Sequence, residues 1–119
     1  MKLNPDCVRD ILLTVEENTG FNKEMDFSEH SSYELLNQYS SDEVFYHIKQ
    51  CEASYLIEEV RWFLGGSCSI SDLTPRGHEF LTNIRNDSIW KKALTKGTGA
   101  SLSILMEIAK QVATNHFLG

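Results

Sequence analysis

Residues 31–80 read SSYELLNQYSSDEVFYHIKQCEASYLIEEVRWFLGGSCSISDLTPRGHEF, and the folding of this stretch decides the rest. Ser31-Ser32 leads into Tyr33, Leu35, Leu36 and Tyr39, spacing that predicts a helix of about two turns. Ser40-Ser41 breaks it. Asp42 and Glu43 then suit the electropositive first turn of a second helix, and Val44, Phe45, Ile48 and Cys51 continue at helical spacing towards Ala53-Ser54. A short and a longer helical pattern separated by two serines read as helix–turn–helix. Leu56 to Leu64 alternates, with Leu56, Glu58, Val60, Trp62 and Leu64 on one side and Ile57, Glu59, Arg61 and Phe63 on the other. Gly65-Gly66 follows, then Ser67 to Leu73, so the two runs predict a hairpin around the glycines. Thr74 as N-cap and Pro75 as first helical residue open another helix bearing Phe80, Leu81 and Ile84.

Upstream, Asn4-Pro5-Asp6 signals the start of a helix whose stripe is Val8, Ile11, Leu12 and Val15. Asn18-Thr19-Gly20 stops it, with Gly20 suited to a left-handed cap. Met25 and Phe27 suit a short strand. Downstream, Asp87-Ser88 starts a short helix carrying Ile89, Trp90, Ala93 and Leu94. Lys96-Gly97-Thr98-Gly99 reads as a flexible joint before a last helix from Ser101 to about His116. The expected fold is therefore α+β and mainly helical, a winged helix–turn–helix with additional C-terminal helices. Residues 1–95 form the winged unit with its short following helix. Residues 96–119 form an amphipathic C-terminal helix.

A chain of 119 residues is about one domain and can bury a core without disulfide or metal staples. No apolar run approaches a membrane span, and MKLNPDC lacks a signal peptide's apolar region, so a soluble chain with no membrane partner is expected. Cys7, Cys51 and Cys68 are odd in number and widely spaced, which suits a reducing compartment. Cys7 and Cys51 fall at helix-core positions. Residues 1–75 hold 14 acidic and 5 basic residues, a balance of −9, whereas residues 76–119 hold 3 and 6, a balance of +3.

The tracts NPDCVRDILLTVEENT, SSDEVFYHIKQCEASYLI and ISDLTPRGHEFLTNIRNDSIW resemble an uncharacterised family of small proteins encoded by phages and prophages of Gram-positive bacteria. The resemblance runs nearly end to end. LTPRGHEFL is similar to the strand-to-helix junction that follows the wing in many winged-helix regulators. The resemblance implies a cytoplasmic location in a bacterial host cell and brings no activity or catalytic residue. Two positions depart from the pattern: leucine is usual at Cys51, and glycine at Ser54.

In a winged helix the second helix of the pair enters the major groove and the wing lies along the backbone. Setting aside Val44, Phe45, Ile48 and Cys51 leaves Asp42, Glu43, Tyr46, His47, Lys49, Gln50 and Glu52 as the outward residues of Ser41–Ala53. Gln50 can pair with adenine, Lys49 can reach guanine or phosphate, and Tyr46 or Ser41 can bond phosphate, with Arg61 on the wing. Double-stranded DNA is thus the first candidate partner, although three acids against Lys49 oppose it. Trp62 and Phe63 lie on opposite strand faces. Their size favours an added helix that buries both; failing that, an aromatic beside Arg61 would anchor a protein partner. Leu102, Leu105, Ala109 and Val112, widened by Ile104, Met106, Ile108 and Ala113, make an apolar surface that either wedges between elements of its own chain or, the favoured reading, forms a homodimer through 101–116. No nucleotide loop, nucleophile elbow or HExxH motif is present. His47 and Cys51 are half of a metal site at most. The expectation is a regulatory or accessory protein without catalysis, cofactor or metal.

Overall fold

The computed structural model describes residues 1–118. It is α+β and mainly helical. Five helices, α1 (Pro5–Asn18), α2 (Ser41–Ala53), α3 (Pro75–Ile84), α4 (Asp87–Lys96) and α5 (Leu102–Leu118), surround five short strands. The strands are β1 (Met25–Ser28), β2 (Ile57–Glu58), β3 (Arg61–Phe63), β4 (Ser67–Ile70) and β5 (Asp72–Leu73). An antiparallel sheet runs in the order β1-β4-β3, and β2 pairs with β5.

The cap chemistry explains the helix starts. Asn4 Oδ1 accepts the Asp6 N–H at 3.1 Å, Ser40 Oγ the Glu43 N–H at 3.1 Å, and Thr74 Oγ1 the Gly77 N–H at 2.9 Å. Helix α1 ends at Thr19 in extended conformation, and Gly20 bridges to Lys23 with no left-handed cap. The expected helix at 33–39 is a set of turns instead. Its one i to i+4 backbone hydrogen bond is Asn37 N–H to Tyr33 O at 2.9 Å, beside the i to i+3 bonds of Leu36 N–H to Tyr33 O and Tyr39 N–H to Leu36 O. Asn37 Oδ1 takes the Tyr33 N–H, and the Tyr33 and Tyr39 hydroxyls bond Asp26 O and Asp10 Oδ2, each at 2.6 Å. Side-chain bonding of this kind competes with a helix too short to repay its nucleation.

The hairpin forms as expected, but with a kink. All five paired positions, from Ile57↔Leu73 to Phe63↔Ser67, share one register. Between them Glu59 stands at φ +52°, and strict alternation fails there. Below the kink Ile57 and Leu73 point inward; above it Cys68 and Ile70 are buried and Trp62 turns towards α2. The tip glycines take the positive φ values, +98° and +86°, that a tight turn of this kind demands.

The base of the hairpin is closed by a backbone cluster. Helix α2 ends with Leu56 N–H on Cys51 O and Tyr55 N–H on Glu52 O, a Schellman pattern in which Tyr55 holds the left-handed position at φ +59°. Positive φ thus falls one residue beyond Ser54, which sits at φ −91°. Thr74 donates its N–H to Leu56 O and its hydroxyl to Tyr55 O. Helix α3 presses so closely here that a Cβ on Gly77 would lie 2.0 Å from Leu56 O.

Arg9 ties α1 to the α3–α4 corner. It donates to Ile84 O (3.1 Å) and Arg85 O (2.9 Å) and pairs with Asp87 at 2.9 Å. Its guanidinium lies 5.9 Å from the Trp90 ring centre, and the Trp90 indole N–H donates to Asp6 Oδ1 at 2.8 Å. Arg85 grips Glu16 with two bonds, which hold the Glu16 carboxyl below its usual range. Helix α5 buries Leu102, Leu105, Ala109, Val112 and Ala113, packing on α3 and α4.

Candidate functional site

Helix α2 is positioned by its buried face of Val44, His47, Ile48 and Cys51. His47 was expected outward and is fully buried. Its Nε2 accepts the Asn4 N–H at 2.8 Å and its Nδ1 faces Glu43 O at 2.8 Å, which assigns the Nδ1–H tautomer. The ring joins the beginnings of α1 and α2, and with both nitrogens occupied it offers nothing to a metal. Among the described residues no three His, Cys, Asp or Glu side chains gather as a metal site. Burial of one more ring in α2's core is not visible from apolar spacing alone, because histidine reads as polar. The signal was its i, i+4 relation to Cys51.

The wing folds back across α2. Phe45, Lys49 and Glu52, at i, i+4 and i+7, form a stripe that receives Trp62. The ring centres of Phe45 and Trp62 lie 6.3 Å apart, Lys49 Nζ is 5.1 Å from the Trp62 ring centre, and the indole N–H donates to Glu52 Oε1 at 3.2 Å. Phe45 in turn meets Phe27 edge-on at 4.9 Å. Arg61 pairs with Glu24, which also accepts the Ser69 hydroxyl at 2.7 Å. The Ser69 bond and then the Arg61 bond lower the Glu24 carboxyl below its ordinary range.

The six residues singled out by sequence therefore separate into two groups. Lys49, Arg61 and Trp62 are engaged within the chain. Ser41, Tyr46 and Gln50 are half-buried on α2 and make no side-chain hydrogen bond among the described residues. Asp42 is exposed beside them.

Beyond Trp62 the wing is apolar and open. Phe63 is 49% exposed and Leu64 is fully exposed, against 38% for Trp62. The expectation that an added helix buries both aromatics is overturned: Trp62 packs on α2, Phe63 points to the other face, and α5 packs against α3 and α4. The same packing covers Leu102, Leu105, Ala109, Val112 and Ala113 of the surface from which a homodimer through 101–116 was expected. Ile104, Phe117 and Leu118 are the large apolar residues of α5 left exposed. Gly97, expected to be a loose joint, is buried, and a Cβ there would meet Leu105 Cδ1 at 3.0 Å.

The three cysteines are buried and unpaired. Burial pushes the Cys7 thiol up to about 12 and Cys68 to about 11, and raises Cys51 as well, so none is a ready nucleophile near neutral pH. Among the described residues, no helix is long and apolar enough to cross a membrane.

No solved structure matches the chain. An uncharacterized protein of Haemophilus influenzae is 31% identical over 115 residues, covering 95% of this chain and 92% of the relative. The model of a family described as hypothetical protein, DUF2513, matches residues 2–103. An α+β chain matched over that span, with a relative aligned almost end to end, belongs to this uncharacterised family, DUF2513.

Proposed function

We propose that this chain is a winged helix–turn–helix accessory protein, of the phage or prophage type that the resemblance implies, which works by binding a protein partner through its wing and α2. The sheet order β1-β4-β3, with α2 feeding directly into the hairpin, supports the winged reading, the turns at 33–38 standing for the first helix of the pair. The observation that carries the protein reading is the wing tip. Phe63 and Leu64 are offered to solvent, while Arg61 and Lys49, the cations a phosphate backbone would need, are held by Glu24 and Trp62. A rigid platform with an apolar edge suits a protein anchor better than a groove of DNA. Photo-crosslinking from position 64 in the producing cell tests it. Expected is a discrete crosslinked species that disappears with Phe63→Ser; a smear indistinguishable from that obtained at exposed Glu58 would defeat the reading.

A second reading keeps duplex DNA on the same face, favoured by Ser41, Tyr46 and Gln50, whose side chains make no hydrogen bond among the described residues. It requires affinity for duplex that falls when Lys49 and Gln50 are both changed to alanine.

A further inference from the structure

The geometry points to a separate nucleic-acid contact: the outer face of α4 is a docking surface for the phosphate backbone of a duplex, made by Lys91, Lys92 and Lys96. At about 100° per residue, Ser88, Lys91, Lys92, Thr95 and Lys96 fall within about 140° of the helix surface. All five are exposed. Ile89, Trp90 and Ala93 lie on the other side and are buried, so the lysines cannot turn inward. None of the three lysines has an ion-pair partner among the described residues. The one acid of the helix, Asp87, is already paired with Arg9. This face is thus the concentrated part of the positive balance of residues 76–119.

A structural account covers only part of it. Lys96, in the last turn, favours the helix dipole. Lys91 and Lys92 are mid-helix and gain little there. The company they keep selects the partner: lysine side chains and the Ser88 hydroxyl bond phosphate oxygens without reading bases, the Thr95 hydroxyl being donated to Lys91 O at 3.0 Å. No aromatic or arginine anchor lies on the face, and lysine is depleted from protein interfaces, which argues against a protein partner. No apolar residue is interleaved to enter a bilayer, which argues against a membrane. Charge complementarity therefore commits the face to a polyphosphate backbone, sequence-independent and steeply salt-dependent.

The test is fluorescence anisotropy of a labelled random-sequence 20-base-pair duplex (a length of about two helical turns) titrated from about 20 to 150 mM salt. The wild type should bind at low salt. The triple variant Lys91→Gln, Lys92→Gln, Lys96→Gln should lose about tenfold or more in affinity, and the slope of log affinity against log salt should fall by about 2.7, roughly 0.9 per phosphate contact. The triple arginine variant should retain binding, and far-ultraviolet circular dichroism with a thermal melt confirms that all variants fold. The triple glutamine variant should keep the crosslink formed from position 64, which separates this surface from α2 and the wing. The proposal is overturned by a wild type that ignores the duplex at 20 mM salt, by glutamine variants that bind as well as wild type, or by lysine-dependent binding to anionic phospholipid vesicles or polyglutamate without binding to duplex.

Discussion

The two ends of one hairpin show opposite economies. At the base, Leu56, Ile57 and Leu73 are buried, the chain is held by Thr74, and α3 approaches to within a missing Cβ at Gly77. At the tip, six residues on from Ile57 in the same register, Phe63 is half exposed and Leu64 wholly so. The base is where the fold is secured. The tip contributes little to that and is free to carry recognition, a division expected when binding groups ride on an extension of a rigid scaffold.

The contrast can be broken most severely at Gly77. Gly77→Ala places a methyl against the Leu56 carbonyl, a backbone atom that cannot rotate away, and should cost about 3 kcal/mol or more, read as a large loss of thermal midpoint. Thr74→Ala removes the α3 cap together with the hydroxyl bond to Tyr55 O and should cost about 1–2 kcal/mol by denaturant unfolding. In the other direction, Tyr55→Gly relieves a left-handed non-glycine residue whose side chain is mostly in solvent. It should stabilise by about 0.5–1 kcal/mol in the same assay.

Midway along the ribbon, the lowered Glu24 carboxyl makes the link to Ser69 and Arg61 sensitive to acid. Its folded value lies below its unfolded one, so the contribution is present above the usual carboxylate range and lost as pH falls through the lowered value. A carboxyl-detected NMR titration should show the Glu24 midpoint move up in Arg61→Gln and further up in Ser69→Ala. The smallest effect on stability belongs to the tip: Phe63→Ser and Leu64→Ser should each stay within about 0.5 kcal/mol of wild type, and Phe63→Ser should abolish the crosslink formed from position 64.

Local chemistry made much of this fold legible. Asn4-Pro5, Ser40 and Thr74-Pro75 mark helix starts by the same hydrogen bonds that the structure contains, and Gly65-Gly66 marks the turn by the torsions only glycine takes readily. What escaped reading depends on contacts distant in sequence. The turns at 33–38 depend on Tyr39 reaching Asp10 and Tyr33 reaching Asp26 O, neither of which spacing reveals. His47 is buried because the Asn4 N–H, 43 residues away, needs an acceptor. Arg9 attracted no attention as one cation on an amphipathic helix, yet it bonds three residues of the α3–α4 corner. The candidate site was legible as a list and not as an arrangement: Lys49, Arg61 and Trp62 are the right types for recognition, but each found its partner inside the chain.

Glu59 carries a last consequence. Its left-handed torsion shifts the inward side of the ribbon from Ile57 and Leu73, at odd positions, to Trp62, Cys68 and Ile70, at even ones. An unkinked ribbon would lay a phenyl ring on α2 and hold an indole out to the surroundings. Which of two adjacent aromatic chemistries a visitor meets is thus chosen by the backbone, several residues before either ring.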